Sequence, residues 1–121
     1  MAGRQAAYLV GLCRGVLDLT AAYVSKRRQS GQALGKFQAP AFRLAELTAR
    51  LDTARWLTRA AAWESDNGYD TRLRAAQALA MAADLAAMTV RAAHQYHGAY
   101  GLTAESDIRL YFLRARGARA G

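Results

Sequence analysis

Arg27-Arg28-Gln29-Ser30-Gly31-Gln32-Ala33-Leu34-Gly35-Lys36-Phe37-Gln38 joins two long apolar-periodic segments, and the rest of the chain is arranged around it. A plain helix–helix connection needs only about 2–8 residues of turn chemistry. This stretch is longer, cationic and amide-rich, and it holds two glycines. Its arginine pair closes the preceding segment, where positive charge suits the end of a helix dipole. Gln29, Gln32, Phe37 and Gln38 then add amides and an aromatic ring. Two readings follow from the residues: a solvated, well-capped loop, or a loop built to hold an anionic, partly aromatic ligand.

Working outward, the segment from about Gln5 to Arg28 repeats Leu9, Leu12, Val16, Leu19 and Tyr23 at spacings of 3 and 4. That is the seam of a helix packed nearly parallel to another. Gly11 and Gly15 interrupt the segment and would permit a close backbone approach. On the other side, a second helix is expected from Gln38 or Ala39, with Pro40 early, where its missing N–H costs nothing. Leu44, Leu47, Leu51 and Ala54 form one stripe on it, and Trp56, Ala60 and Trp63 a second, implying contacts with more than one partner element. Asn67-Gly68 should stop it in a left-handed turn.

Asp70 is a good N-cap for a third helix running to about Tyr96. Ala78, Met81, Leu85, Met88, Ala92 and Gln95 give its seam. His97-Gly98-Ala99-Tyr100-Gly101 makes a second glycine-bearing break, and a fourth helix is expected from about Glu105. Its acidic start and arginine-rich end match the dipole. Four such helices predict an all-α protein, an antiparallel up-down four-helix bundle in one domain over residues 1–121.

The 121 residues are 53% hydrophobic, with one proline, which fits a globular helical chain. The net charge of +8 comes from arginines dispersed along the sequence without a docking motif, so no nucleic-acid partner is expected. No uninterrupted apolar run approaches the roughly 20 residues of a membrane span. The N-terminus is too quickly amphipathic for a signal peptide, so the expectation is a cytoplasmic protein without a membrane partner. The single cysteine, Cys13, reads as an inert helical residue. His94 and His97 lack a third ligand, and no metal is expected.

The wording of the two breaks carries a resemblance. "RRQSGQALGKFQ", "LAELTARLDTAR", "AAWESDNG" and "HQYHGAYGLTAESDIRLYFLRAR" resemble the C-terminal helical domain of the acyl-CoA dehydrogenase family, over nearly the whole chain. The resemblance implies an FAD flavoprotein in which Arg27 reaches the cofactor pyrophosphate of a neighbouring subunit. It places Leu34, Phe37 and Gln38 along the adenosine half, and brings Gln95 and Gly98 to the nucleotide from across the interface. It also implies a homo-oligomer, dimer or tetramer, or a partner subunit carrying the family's other two domains.

There are departures. The family's phenylalanine before the first glycine is Ser30, its second glycine in the later motif is Ala99, and a lysine common in the third helix is Gln77. No acidic residue stands where the family keeps its catalytic carboxylate, and proton abstraction needs a positioned base. The expectation is therefore a chain with no catalytic residue of its own, contributing to an FAD site and to oligomerisation. The alternative is a stand-alone descendant that has lost flavin and base and acts as a dimeric scaffold or non-redox binding protein.

Overall fold

A computed structural model describes residues 2–29 and 35–97. These form three helices: α1 (Ala2–Gln29), α2 (Gly35–Asp66) and α3 (Arg72–His97). The described residues contain no strand, so the expected all-α class holds for them. The expected fourth helix lies outside the described residues.

Alanine and leucine dominate all three helices and favour this state intrinsically. Three of the β-branched threonines in α1 and α2 are accommodated by back-bonding. Thr20 Oγ1 donates to the Val16 carbonyl, Thr48 to Leu44 and Thr58 to Ala54, at 2.7–2.8 Å. Each helix buries one leucine almost completely: Leu9, Leu47 and Leu85, at 0, 0 and 1% exposure. Full burial of such a side chain is worth about 1.5–3 kcal/mol. Leu12, Cys13, Leu17, Leu51, Ala78 and Ala82 pack around them in one core.

The α2–α3 connection shows how sequence sets geometry. Gly68 adopts φ +78°. The Tyr69 N–H donates to the Glu64 carbonyl at 2.9 Å and the Gly68 N–H to that of Ser65 at 3.3 Å. This is the double bond of a Schellman cap, as the Asn67-Gly68 pair predicts. Tyr69 then stacks on Trp63 with ring centroids 5.5 Å apart, supplying the apolar contact such caps carry. Asp70 acts one residue earlier than expected. Its Oδ1 accepts the Arg72 N–H at 3.1 Å, while the Thr71 carbonyl accepts the Ala75 N–H and so starts α3. Thr71 Oγ1 donates to the Ala61 carbonyl, and Arg74 pairs with Glu64 at 2.9 Å, pinning the start of α3 to the end of α2.

Several sequence expectations need correction. α2 begins at Gly35, so Phe37 and Gln38 belong to its first turn rather than to the loop, and Pro40 sits inside the helix. At that depth proline forfeits the hydrogen bond to the Lys36 carbonyl. In α1, Leu17 is buried and Leu19 only half-buried. Gly11 faces open space, with nothing within 4 Å of where a Cβ would lie, so it serves no close approach. In α3 the buried row runs through Ala75, Ala78, Ala82, Leu85, Thr89 and Ala93. Met81 and Gln95 point outward, because alanine and threonine let α1 and α2 approach closely and take the seam. Trp56 and Trp63 are 70 and 59% exposed, so the second α2 stripe is not covered within the described chain. α1 (over Ala2–Lys26) and α3 are each long and apolar enough to cross a membrane by length and composition, but they pack on one another and on α2.

Candidate functional site

The starts of α1 and α3 and the end of α2 line one groove, so the last turns of α1 and α3 and the first turn of α2 lie toward the other end, where His97 closes α3 against Thr20 and Tyr23 of α1. Arg27 lies in the last turn of α1, Phe37 and Gln38 in the first turn of α2, and Gln95 in the last turn of α3. The fold thus gathers into one end of the molecule the elements carrying four of the expected site residues. Gln95 is exposed and available to a ligand. Side chains from 27 to 38, which include Arg27, Phe37 and Gln38, fall outside the described residues, as do Leu34 and Gly98 entirely.

Beneath this end lies a buried polar cluster that the sequence reading did not assign to the site. His97, the last residue of α3, is 2% exposed, and its Nε2 lies 3.3 Å from Thr20 Oγ1. The Thr20 hydroxyl has one hydrogen, and it is directed to the Val16 carbonyl at 2.8 Å. Thr20 can therefore only accept from His97, which fixes the imidazole as the Nε2–H tautomer. Tyr23 packs on the ring with centroids 4.5 Å apart. Burial, and secondarily the nearby His94, hold the His97 pKa below its ordinary value. His97 Nδ1, Tyr23 Oη and Thr89 Oγ1 are all buried without a hydrogen-bond partner among the described residues. Buried polar groups are nearly always satisfied, so the two orphans at this end, His97 Nδ1 and Tyr23 Oη, mark unfilled bonding capacity, while Thr89 lies deeper, beside Cys13. The available signal was a threonine inside the apolar run of α1, three residues before a tyrosine on its seam.

Cys13, deeper between α1 and α3, is inert as expected: burial raises its thiol to about 11. The Thr89 hydroxyl beside it tempers that shift without hydrogen-bond geometry. Asp18 offers no base, since it is largely exposed on α1 and pairs with Arg14 at 3.5 Å. Among the described residues no cluster of metal-binding side chains occurs. The opposite end holds an open groove of about 830 Å³ floored by small residues such as Gly3, Ala61 and Ala75, with no orphaned polar atom.

A family profile described as "Acyl-CoA dehydrogenase, C-terminal domain" matches residues 2–121. The chain belongs to this family. Among curated relatives of the acyl-CoA dehydrogenase domain is the probable acyl-CoA dehydrogenase YngJ of Bacillus subtilis. It is 36% identical over 103 residues, which are 85% of this chain and 27% of YngJ. A solved structure of the electron transferring flavoprotein of Acidaminococcus fermentans superposes with a TM-score of 0.86 at 30% identity, covering 98% of this chain and 31% of that one. PigA with FAD and proline superposes with a TM-score of 0.84 at 26% identity, covering 98% of this chain and 31% of PigA. The acyl-CoA dehydrogenase domain thus spans between a quarter and a third of the relatives it matches, and at the family level FAD is the associated cofactor.

Proposed function

We propose that this domain is the C-terminal helical part of an acyl-CoA dehydrogenase-like cytoplasmic flavoprotein, completed by a fourth helix from about Glu105 into an antiparallel up-down bundle. In this reading it contributes Arg27, Leu34, Phe37, Gln38, Gln95 and Gly98 to an FAD shared across a subunit interface, and it self-associates or joins a subunit carrying the remaining domains. The observation that carries the reading is the convergence of the Arg27, Gln38 and Gln95 helix ends above the orphaned polar cluster. Those residues fit the cofactor's chemistry. A guanidinium fork matches a pyrophosphate, and the start of α2 presents free N–H groups and the positive end of a helix dipole. When bound, FAD would supply the hydride acceptor. The domain's own part is to bind and orient the nucleotide. His97, held neutral between Thr20 and Tyr23, fixes α1 against α3 and so sets the distance between Arg27 and Gln95.

Titration of FAD into the purified chain, followed by flavin absorbance and fluorescence, tests this. Saturable binding weakened by Arg27→Ala supports it, and no binding by the chain, alone or with a subunit carrying the other domains, overturns it. With no base among the described carboxylates, the isolated chain is expected not to oxidise acyl-CoA thioesters in the presence of FAD and an artificial acceptor. Robust turnover would refute that account.

A further inference from the structure

His97 closes α3 between two residues proposed to meet the nucleotide, Gln95 before it and Gly98 after it. Its ring is held on α1 by the hydrogen bond to Thr20 and by the face of Tyr23. With the Nε2–H given to Thr20, Nδ1 carries the lone pair, and it is buried with no donor to meet it. A proton arriving there turns Nδ1 into a buried donor without an acceptor and puts a positive charge on the ring.

The groups around the ring do nothing to stabilise that charge. On α3 the titratable neighbour is His94, which repels it. On α1 the ring meets the Thr20 hydroxyl, whose hydrogen is directed to Val16, and the Tyr23 phenol. The charged residues of α1 on either side of that contact, Asp18 and Lys26, are exposed, and Asp18 pairs with Arg14. Toward the start of α2, the first charged side chains described, Arg43 and Glu46, pair with each other. No carboxylate among the described residues pairs with His97. A buried, unpaired charge is neutralised or expelled rather than kept. Expulsion requires little of the fold here, because His97 is the last residue of α3 and helix ends open at the lowest free energy.

We propose that His97 is a proton-operated latch: neutral, it holds the end of α3 on α1; protonated, it leaves Thr20 and Tyr23 and frees the last turn of α3, withdrawing Gln95 from the nucleotide site. The latch stands on the contacts of His97 alone, and its coupling to the nucleotide rests on the proposed function. The open form, with its imidazole in water, takes up the proton at the ordinary 6.5, and the closed form only at lower pH. The open fraction therefore grows by up to about tenfold per pH unit between 6.5 and the folded value, and levels off below it. Where opening becomes appreciable, the apparent Kd for FAD rises in proportion.

The test begins with the full chain without FAD. It has two histidines, so both imidazoles can be followed by proton NMR and assigned with His94→Gln. Hydrogen exchange of the amides of residues 94–97, corrected for the intrinsic effect of pH and measured from pH 8 to 5, should show opening that rises with the expected slope below 6.5. His97→Gln, whose amide can still donate to Thr20, and His97→Phe, which keeps a ring on Tyr23, should both remove this pH dependence. His94→Gln should retain it, and circular dichroism verifies helix content in each. A His97 ring that titrates at or above 6.5 overturns the latch, as does pH-independent exchange of the parent or a dependence that survives both His97 variants. In a second arm, FAD titrations over the same range should weaken in acid with the same profile. Binding that tightens in acid overturns the coupling, since the imidazolium would then be serving the phosphates directly. A chain that binds no FAD overturns the proposed function, whereas the exchange arm decides the latch by itself.

Discussion

Two glycines, both with open space where a side chain would go, should respond oppositely to the same substitution. Gly68 and Gly11 have nothing within 4 Å of an added Cβ, so neither change creates a clash with the rest of the fold. They differ only in backbone. Gly68 holds φ +78° as the C′ residue of the α2 cap, whereas Gly11 lies within α1. At Gly68 an alanine meets the left-handed penalty of about 1–2 kcal/mol. Restricting the unfolded chain returns about 0.4–1 kcal/mol of that. The net expectation for Gly68→Ala is a loss of about 1 kcal/mol, which lowers Tm by about 4 °C at this chain length. At Gly11 only the favourable side operates, so Gly11→Ala should add about 0.5–1 kcal/mol. Thermal unfolding followed by circular dichroism, at one protein concentration, measures both. If Gly68→Ala is as stable as the parent, the cap is not constraining the α2–α3 turn and the account of that turn is wrong. If Gly11→Ala destabilises, the outward face of α1 is covered by something the described chain does not show.

Leu47→Ala empties a completely buried position in the core shared by the three helices and should cost about 2–5 kcal/mol by denaturant titration. Arg27→Ala, at a helix end beside Arg28, should change stability without ligand by no more than about 0.5 kcal/mol; a sharp fall in Tm would make Arg27 structural and remove it from the proposed site. His97 is held neutral by burial, so its folded pKa lies below the ordinary value of 6.5. The unfolded chain then binds the proton more readily. The contribution is fully present above about pH 6.5 and is lost as pH falls from there toward the folded value. Tm measured from pH 8 to 5 should decline on the acid side, and His97→Leu should flatten that decline; an unchanged profile would show that the imidazole is not buried neutral.

The helices and their end signals were legible because local chemistry and fold agree. Asn67-Gly68 predicted its own cap, and the Leu44-Leu47-Leu51-Ala54 row predicted the buried face of α2. The α3 face was misread by one step. Hydrophobicity favoured Met81, which is exposed, whereas Met88 does pack on the core; alanine and threonine take the closest points of the helix spacing, and size decided. The second α2 stripe was visible as apolar, while its outward direction depended on which face α1 and α3 claimed first. Of the candidate site, Arg27, Gln38 and Gln95 were named from motif wording alone, because their role depends on a nucleotide that no periodicity or burial pattern encodes. The Thr20–His97 contact was not readable, since it joins residues 77 apart in sequence and depends on the depth at which α3 ends.

The raised pKa of Cys13 has a practical consequence. With a value of about 11, only about one thiol in ten thousand is ionised at pH 7, and thiolate is the form that alkylating agents and peroxides attack. The chain has no other cysteine. It therefore behaves toward sulfur reagents as a blank. A thiol engineered onto the outer face of α2 or the last turn of α3 would take a spin label or dye essentially alone. Distances between copies, and between the two helix ends, become measurable in solution with the native core sequence left intact.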